Sequence, residues 1–403
     1  MKTERKPVSV YVHIPFCVKK CLYCDFLSFP GTAAMMAEYG ENLIREISAA
    51  VCYLDISNYY VNTIYIGGGT PSIVSETLIE EILCKLAPLL TDDPEISMEV
   101  NPGTLKGREG QMKAQVYVRS GINRVSIGLQ SADDSVLKRI GRIHDHRDFL
   151  ETLDILRNAG ISNINADIMQ DLPDTDHKTY MDTLERVIKL DLRHISSYSL
   201  ILEEGTPLYE QRDSFTFPDE DEDRRIYRDN CRILKESGFE QYEISNFSKP
   251  GFECRHNITY WERGDYLGLG LGASSCMGDV RWKNPSDMGV YGKYTEHLSF
   301  ACEAADTEHN GLLLFPDNMY SEEVEKLENK DIISETMFLG LRMTRGIDEE
   351  VFRRRFGKSL RDIYGRKIDD LIQSGVLSEG EGRLFLTDYG VDVSNLVFEE
   401  LLL

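Results

Sequence analysis

From residue 8 to about residue 238, short β-rich runs alternate with amphipathic helical stretches, and this alternation limits the fold more than any other feature of the chain. The runs at 8–14, 63–67, 96–100, 124–130, 163–169 and 194–202 read as strands, and 34–54, 75–90, 147–159, 180–190 and 222–237 as helices. Strand-then-helix units in series imply a parallel sheet with crossover helices. Six such strands are too few for a closed eight-fold barrel, so an α/β fold built on an open, partial (β/α)6 barrel is expected. The strands also alternate. Val8, Val10, Val12 and Ile14 oppose Ser9, Tyr11 and His13; Ile96, Met98 and Val100 oppose Ser97 and Glu99. Val125, Ile127 and Leu129 oppose Ser126, Gly128 and Gln130, and Ile164, Ala166 and Ile168 oppose Asn165 and Asp167. Parallel strands covered on both faces are usually apolar throughout. Polar or small residues along one face therefore predict a lumen that holds a polar ligand, with water-filled packing as the alternative.

Two further segments follow, giving expected boundaries at 1–238, 239–310 and 311–403. Segment 239–310 has little helical periodicity and contains a glycine-rich YLGLGLGASS, consistent with an extension against the open side of the barrel. Its GLGLG lacks the spacing and the strand–helix setting of a dinucleotide loop. Helical patterns return at 332–344, 348–356 and 360–373, followed by short β runs at 376–377 and 383–387, a small winged-helix-like domain. Winged helices often bind DNA, but a net charge of −23 opposes nucleic acid as a partner and favours a packing role. The acidic run at 219–223 reads as the solvated first turn of a helix. No run of eighteen apolar residues occurs, so no membrane-spanning segment is expected and only peripheral membrane contact stays open. The charged start of the chain lacks an apolar signal region, and a cytoplasmic location is expected.

Nine cysteines, three of them within eight residues, make no disulfide framework. Cys52 and Cys84 lie in helical patterns and are expected to be buried. Cys17-x-x-x-Cys21-x-x-Cys24 directly follows the first strand. Three thiolates at this spacing can each hold one corner of a [4Fe-4S] cube and leave the fourth iron open to the amino and carboxylate groups of S-adenosylmethionine. A structural zinc site is the alternative, but it takes four protein ligands, and Asp25 and Phe26 supply no fourth cysteine. Glu99, Gln130 and Asp167 lie on the polar strand faces near strand ends, where barrel enzymes place ligand contacts. The glycines 67–69 end the second strand and let backbone approach a ligand, or form an ordinary tight turn.

This cysteine spacing, inside YVHIPFCVKKCLYCDF, resembles the radical-SAM superfamily and, within it, the family of oxygen-independent coproporphyrinogen III oxidases and their relatives. GGGTPS (67–72), SMEVNP (97–102), RVSIGLQS (124–131), GR (141–142) and NADIMQDLP (165–173) carry the resemblance over nearly the whole chain. It implies a radical-SAM barrel with a [4Fe-4S] cluster on Cys17, Cys21 and Cys24, and an electron donor such as flavodoxin or ferredoxin. It further implies that Glu99, Gln130, Arg142 and Asp167 contact the cofactor's carboxylate and ribose region. Tyr11 and Tyr23 would border the cluster and adenosine, and Gly68, Gly69 and Thr70 would lie along the cofactor. At position 171 the family usually has glycine, and this chain has Asp171.

Two features separate the branches of this family. The oxidases carry a fourth cysteine two residues after the third, where this chain has Phe26. His256-Asn257-x-x-Tyr260-Trp261 is similar to the HNxxYW signature of the HemW-type haem chaperones. That likeness implies haem as cargo, client haemoproteins as partners, and His256 at the barrel mouth as a haem ligand; the alternative for His256 is a satisfied core histidine. The runner-up function is an oxygen-independent coproporphyrinogen III oxidase, whose activity is not expected here; a methyltransferase-like haem-degrading enzyme is a third class that nothing in the sequence demands.

Overall fold

The computed structural model describes residues 5–54, 58–304, 315 and 318–403. Six strands, β1 (Lys6–Ile14), β2 (Tyr59–Gly68), β3 (Leu90–Val100), β4 (Arg124–Gln130), β5 (Asn163–Gln170) and β6 (His194–Ser199), lie parallel in chain order. They alternate with crossover helices α1 (Ala33–Leu54), α2 (Glu76–Leu86), α3 (Gly107–Arg119), α4 (His146–Ala159), α5 (His177–Ile188) and α6 (Glu220–Glu236). The outward residues Val8, Val10, Val12 and Ile14 are at most 1% exposed, packed with the helices in one core. Burying each such side chain contributes roughly 1.5–3 kcal/mol, so the outer face holds the sheet together and leaves the inner face free to be polar. Asp219 caps α6 by accepting from the Glu222 backbone N–H at 2.9 Å, as the acidic run suggested.

Beyond β6 the chain adds a hairpin, β7 (Glu240–Glu243) and β8 (Asn246–Ser248), of which β8 pairs antiparallel with β6, then a helix, α7 (Arg255–Trp261). It crosses to the other edge, where β9 (Tyr266–Leu269) pairs parallel with β1. β10 (Ser274–Met277) and β11 (Val280–Lys283) continue antiparallel; after α8 (Met288–Ala304), β12 (Glu322–Lys326) closes that side. The result is a single twelve-stranded mixed sheet with β12 and β7 at its two edges and no pairing between them among the described residues. The barrel is therefore partial and open, as expected.

A second core begins at Ile333. It comprises α9 (Asn329–Gly340), α10 (Glu349–Phe356), α11 (Leu360–Tyr364), α12 (Arg366–Gln373) and the hairpin β13 (Leu377–Gly380)–β14 (Arg383–Leu386), a winged-helix-like arrangement. The boundary at 311 lies outside the described residues, and β12 still belongs to the large sheet. The helix expected over 360–373 is broken at Gly365, whose φ of 56° no helix accommodates. Of the helices named here, three are absent from the sequence reading. α3 buries only Gly110, Ala114 and Tyr117, too little apolar surface to register as a stripe. α7, two turns long, is too short for periodicity, and α8 hides Tyr291, Tyr294 and Leu298 among glycines and polar residues. Cys52 and Cys84 correct another expectation: both are exposed, because α1 and α2 turn other residues, such as Leu43, Ile47, Ile79 and Leu83, to the core.

Candidate cofactor-binding site

Phe16, fully buried, anchors the loop after β1 by edge-to-face contacts with Phe29 and Tyr39. The end of β2 grips the same loop: Gly69 N–H donates to Ile14 O at 2.8 Å and Thr70 N–H to Phe16 O at 2.7 Å. A Cβ on Gly69 would stand 2.6 Å from Phe16 O, and one on Gly68 would stand 2.4 Å from the His13 ring. The bareness of these glycines is thus required by the protein's own packing under the cysteine loop, a reason that spacing alone does not reveal.

Cys17, Cys21 and Cys24 are partly buried and free of disulfides. Thr70 Oγ1 donates to Cys17 at 3.5 Å, Arg142 Nη1 to Cys21 at 3.6 Å, and Cys24 has Ser28 Oγ at 3.9 Å and the Phe26 backbone N–H beside it. Among the described residues no three His, Cys, Asp or Glu side chains converge tightly enough for a single metal ion. The thiols instead ring a cavity of about 150 Å³ at the strand ends. Tyr23, Gly68, Gly69 and Thr70 line it with them, as do Glu99, Gln130, Arg142 and Asp167. The structure thus brings together every expected site residue except Tyr11 and His256.

Glu99 accepts from Tyr65 OH and from Gly68 N–H, both at 3.0 Å. Burial, and then the nearby Asp167 charge, push its carboxyl up to about 7. Asp167 is raised by burial too, against hydrogen bonds from Ser126 Oγ (2.8 Å) and Asn165 Nδ2 (2.7 Å). Arg142 donates to Asn101 Oδ1 at 2.8 Å and to Gly128 O, while its buried Nε has no partner. Gln130 sits at a register break in β4 with φ 68°, and its side chain accepts from Tyr198 OH at 3.0 Å. Bulges that re-aim a side chain are common beside functional sites. Asp171 also has a positive φ, 56°, so the position keeps the backbone that glycine would give it. Tyr65, Asn101 and Tyr198 were missed; Tyr65 has the inner-face phase of β2, which was the available signal.

Three thiols without a fourth, facing glycine backbone, an unpartnered guanidinium nitrogen and two carboxyls, fit a cluster with an open iron and a ligand bearing amino and carboxylate groups. Such a cluster with S-adenosylmethionine supplies one-electron cleavage of a carbon–sulfur bond. In such a site Cys17, Cys21 and Cys24 would hold the cube, and Glu99, Gln130, Arg142 and Asp167 would face the ligand.

Tyr11 lies just outside this cavity, its hydroxyl 3.0 Å from His13 Nδ1. His256 corrects the sequence reading. It sits low in the lumen on α7, 1% exposed, and not at the mouth. Its Nδ1 is 2.8 Å from Thr63 Oγ1 and its Nε2 is 2.8 Å from Tyr260 OH. Thr63 spends its proton on Ser9 Oγ (2.7 Å), Ser9 on Thr259 Oγ1 (2.9 Å), and Thr259 on Arg255 O (3.1 Å). That direction requires Nδ1–H to donate to Thr63 and Nε2 to accept from Tyr260. Burial, and then the Arg124 charge, push the imidazole down to about 3, so it is neutral. The Glu95 carboxylate completes the floor by accepting from the backbone N–H groups of Arg255 (2.9 Å) and His256 (3.1 Å) at the start of α7.

Comparison with known proteins agrees with this geometry. Residues 11–196 match the radical SAM superfamily and residues 327–393 the HemN C-terminal domain. The fold matches coproporphyrinogen III oxidase (HemN) of Escherichia coli with a TM-score of 0.80 at 20% identity, covering 99% of this chain and 90% of that one. Fold and site together define a radical SAM protein. The chain is 36% identical to the haem chaperone HemW of Lactococcus lactis across 99% of its own length and 98% of that protein. With HemW of Bacillus subtilis it shares 31% over 97% and 98%. The chain belongs to the HemW family.

Proposed function

We propose that this protein is a radical-SAM haem chaperone: it binds haem next to a [4Fe-4S] cluster and S-adenosylmethionine and passes it to client haemoproteins. The carrying observation is the near full-length 36% identity to a haem chaperone. The coproporphyrinogen oxidase shares the fold at 20%. Phe26 supports the same branch. Its ring, 70% exposed, occupies the position where the resemblance puts the oxidases' fourth cysteine. Within the HNxxYW segment, Tyr260 and Trp261 face open space, while His256 holds Tyr260 in place from below. A flavodoxin or ferredoxin would supply the electron, and the setting is the cytoplasm; no described helix is long and apolar enough to cross a membrane.

Parallel anaerobic incubations test the reading. With haemin, the cluster-loaded protein is expected to bind one haem per chain and deliver it to an apo-haemoprotein. With coproporphyrinogen III, S-adenosylmethionine and a reductant, no protoporphyrinogen IX is expected. Multiple-turnover formation of that product would replace the chaperone reading with the oxidase one.

A further inference from the structure

The cluster cavity shares Phe26, Gly68 and Glu99 with a second, larger cavity of about 660 Å³. That volume lies in the range of small-molecule sites, roughly 300–1,000 Å³. One wall is the outer part of the sheet. Tyr266 stands opposite Cys276, Cys276 opposite Arg281, and Ser274 opposite Lys283, so these side chains share one face of β9–β11. The other face of the same strands, with Leu267, Leu269 and Trp282, is sealed into the main core. Tyr260 and Trp261 at the end of α7, and Phe338 and Leu339 of α9, supply apolar walls. The cavity thus lies where barrel, extension and C-terminal domain meet.

Its charges are unequal. Arg263 and Arg281 both pair with the largely buried Glu335, while the other partners of Arg281 and Lys283 are the exposed Glu325 (3.8 Å) and Glu323 (3.4 Å), surface pairs that a bound carboxylate can displace. The possible iron ligands can be sorted by what already occupies them. His13 has Nδ1 at Tyr11 OH and Nε2 at Leu27 O (2.9 Å), so both nitrogens are engaged. Tyr260 donates to His256, and Glu99 and Glu335 hold their own donors. Cys276 Sγ and Tyr266 OH, cross-strand partners, have no hydrogen bond among the described residues. Either can hold haem iron as its anion. Burial raises the Cys276 thiol, with Arg263 and Arg281 acting against it, and pushes the Tyr266 phenol up to about 12. The thiol, ordinarily the more acidic of the two, is therefore the ligand taken here, its proton displaced by the metal.

We propose that this cavity receives the cargo as an iron porphyrin with two carboxylates: the ring lies against Tyr260 and Trp261, the carboxylates meet Arg281 and Lys283, and the Cys276 sulfur binds the iron. The assignment rests on the chaperone reading. On binding, the Cys276 S–H bond breaks, its proton leaves to solvent, and an S–Fe bond forms; iron stays ferric and no electron moves. Arginine suits a carboxylate as a two-point donor, and Lys283 serves as a point charge.

The test uses full-length, cluster-loaded protein titrated anaerobically with ferric haemin, read by absorbance and electron paramagnetic resonance. Wild type is expected to show the absorbance and resonance signature of thiolate-ligated ferric haem. Cys276→Ser should lose that signature, shift the Soret band and weaken binding about tenfold or more, while His256→Gln and Tyr266→Phe retain the signature. The Arg281→Gln/Lys283→Gln double variant should bind about tenfold more weakly with an unchanged Soret band, and haemin dimethyl ester should bind it and wild type equally. Cluster absorbance and thermal midpoint identify any variant that has merely failed to fold. A wild-type spectrum from Cys276→Ser, or its loss in Tyr266→Phe or His256→Gln, would overturn the ligand assignment while leaving the chaperone reading standing. Failure of wild type to take up haemin would end both.

Discussion

At the mouth of the barrel the buried Arg142 Nε has no partner, and the three loop thiols have one or two weak polar neighbours each. At the floor, built on the same strands in the same side-chain phase, the run from Tyr260 through His256, Thr63, Ser9 and Thr259 is paired end to end. Arg124, whose Nε lacks a hydrogen-bond partner, is the exception there, compensated through space by Glu95. A polar residue pointing into a lumen is thus ambiguous until its partners are counted. Leftover hydrogen-bonding capacity marks a binding site, and closed pairing marks a structural plug. His256 illustrates the distinction: the family likeness implied a ligand, with a satisfied core histidine as the alternative, and its two occupied nitrogens favour the second, a strut for Tyr260.

The largest expected effect separates the two ends. Cys17→Ser, Cys21→Ser or Cys24→Ser should each abolish the iron content, about four iron per chain in wild type, with little change in far-ultraviolet circular dichroism. If Cys52 or Cys84 proved equally necessary by iron analysis, the mouth would be wrongly assigned. Next comes Glu95→Ala at the floor. It strips two helix N–H groups and the Cys254 thiol of their acceptor and leaves Arg124 less compensated. A loss of at least about 3 kcal/mol in denaturant unfolding is expected, with cluster content per folded chain unchanged. Asp167→Ala is a milder probe of the mouth. Its affinity for S-adenosylmethionine should fall about tenfold, the value of one charge-assisted hydrogen bond, measured by equilibrium binding to the iron-loaded protein. Unchanged affinity would remove Asp167 from the site. The smallest effect is expected for Thr63→Val, which should cost roughly 1–2 kcal/mol of stability and leave both iron and cofactor binding intact. If it impaired cofactor binding as strongly as Asp167→Ala, the division between mouth and floor would collapse.

The parallel strands, their order and their polar inner face followed from local spacing, because an alternation of period two and a helical period of 3.6 are written in neighbouring residues. The three candidate cluster cysteines were equally legible as a group, since all lie in one loop. Glu99, Gln130 and Asp167 were placed by phase and family likeness and Arg142 by likeness alone; three strands and the loop before α4 bring them to one cavity. Other features depended on residues far apart in sequence. Glu95 was not marked as the cap of α7, which lies some 160 positions later in the chain. The cavity between β9–β11, α7 and α9 exists only because the extension crosses the open sheet and the C-terminal core packs beside it. By itself the sequence determined which face of each strand is polar and which thiols share a loop, because both are local properties of the chain. Only the tertiary structure decided which polar groups find partners and which stay open to a ligand, because pairing is settled by segments that meet on folding.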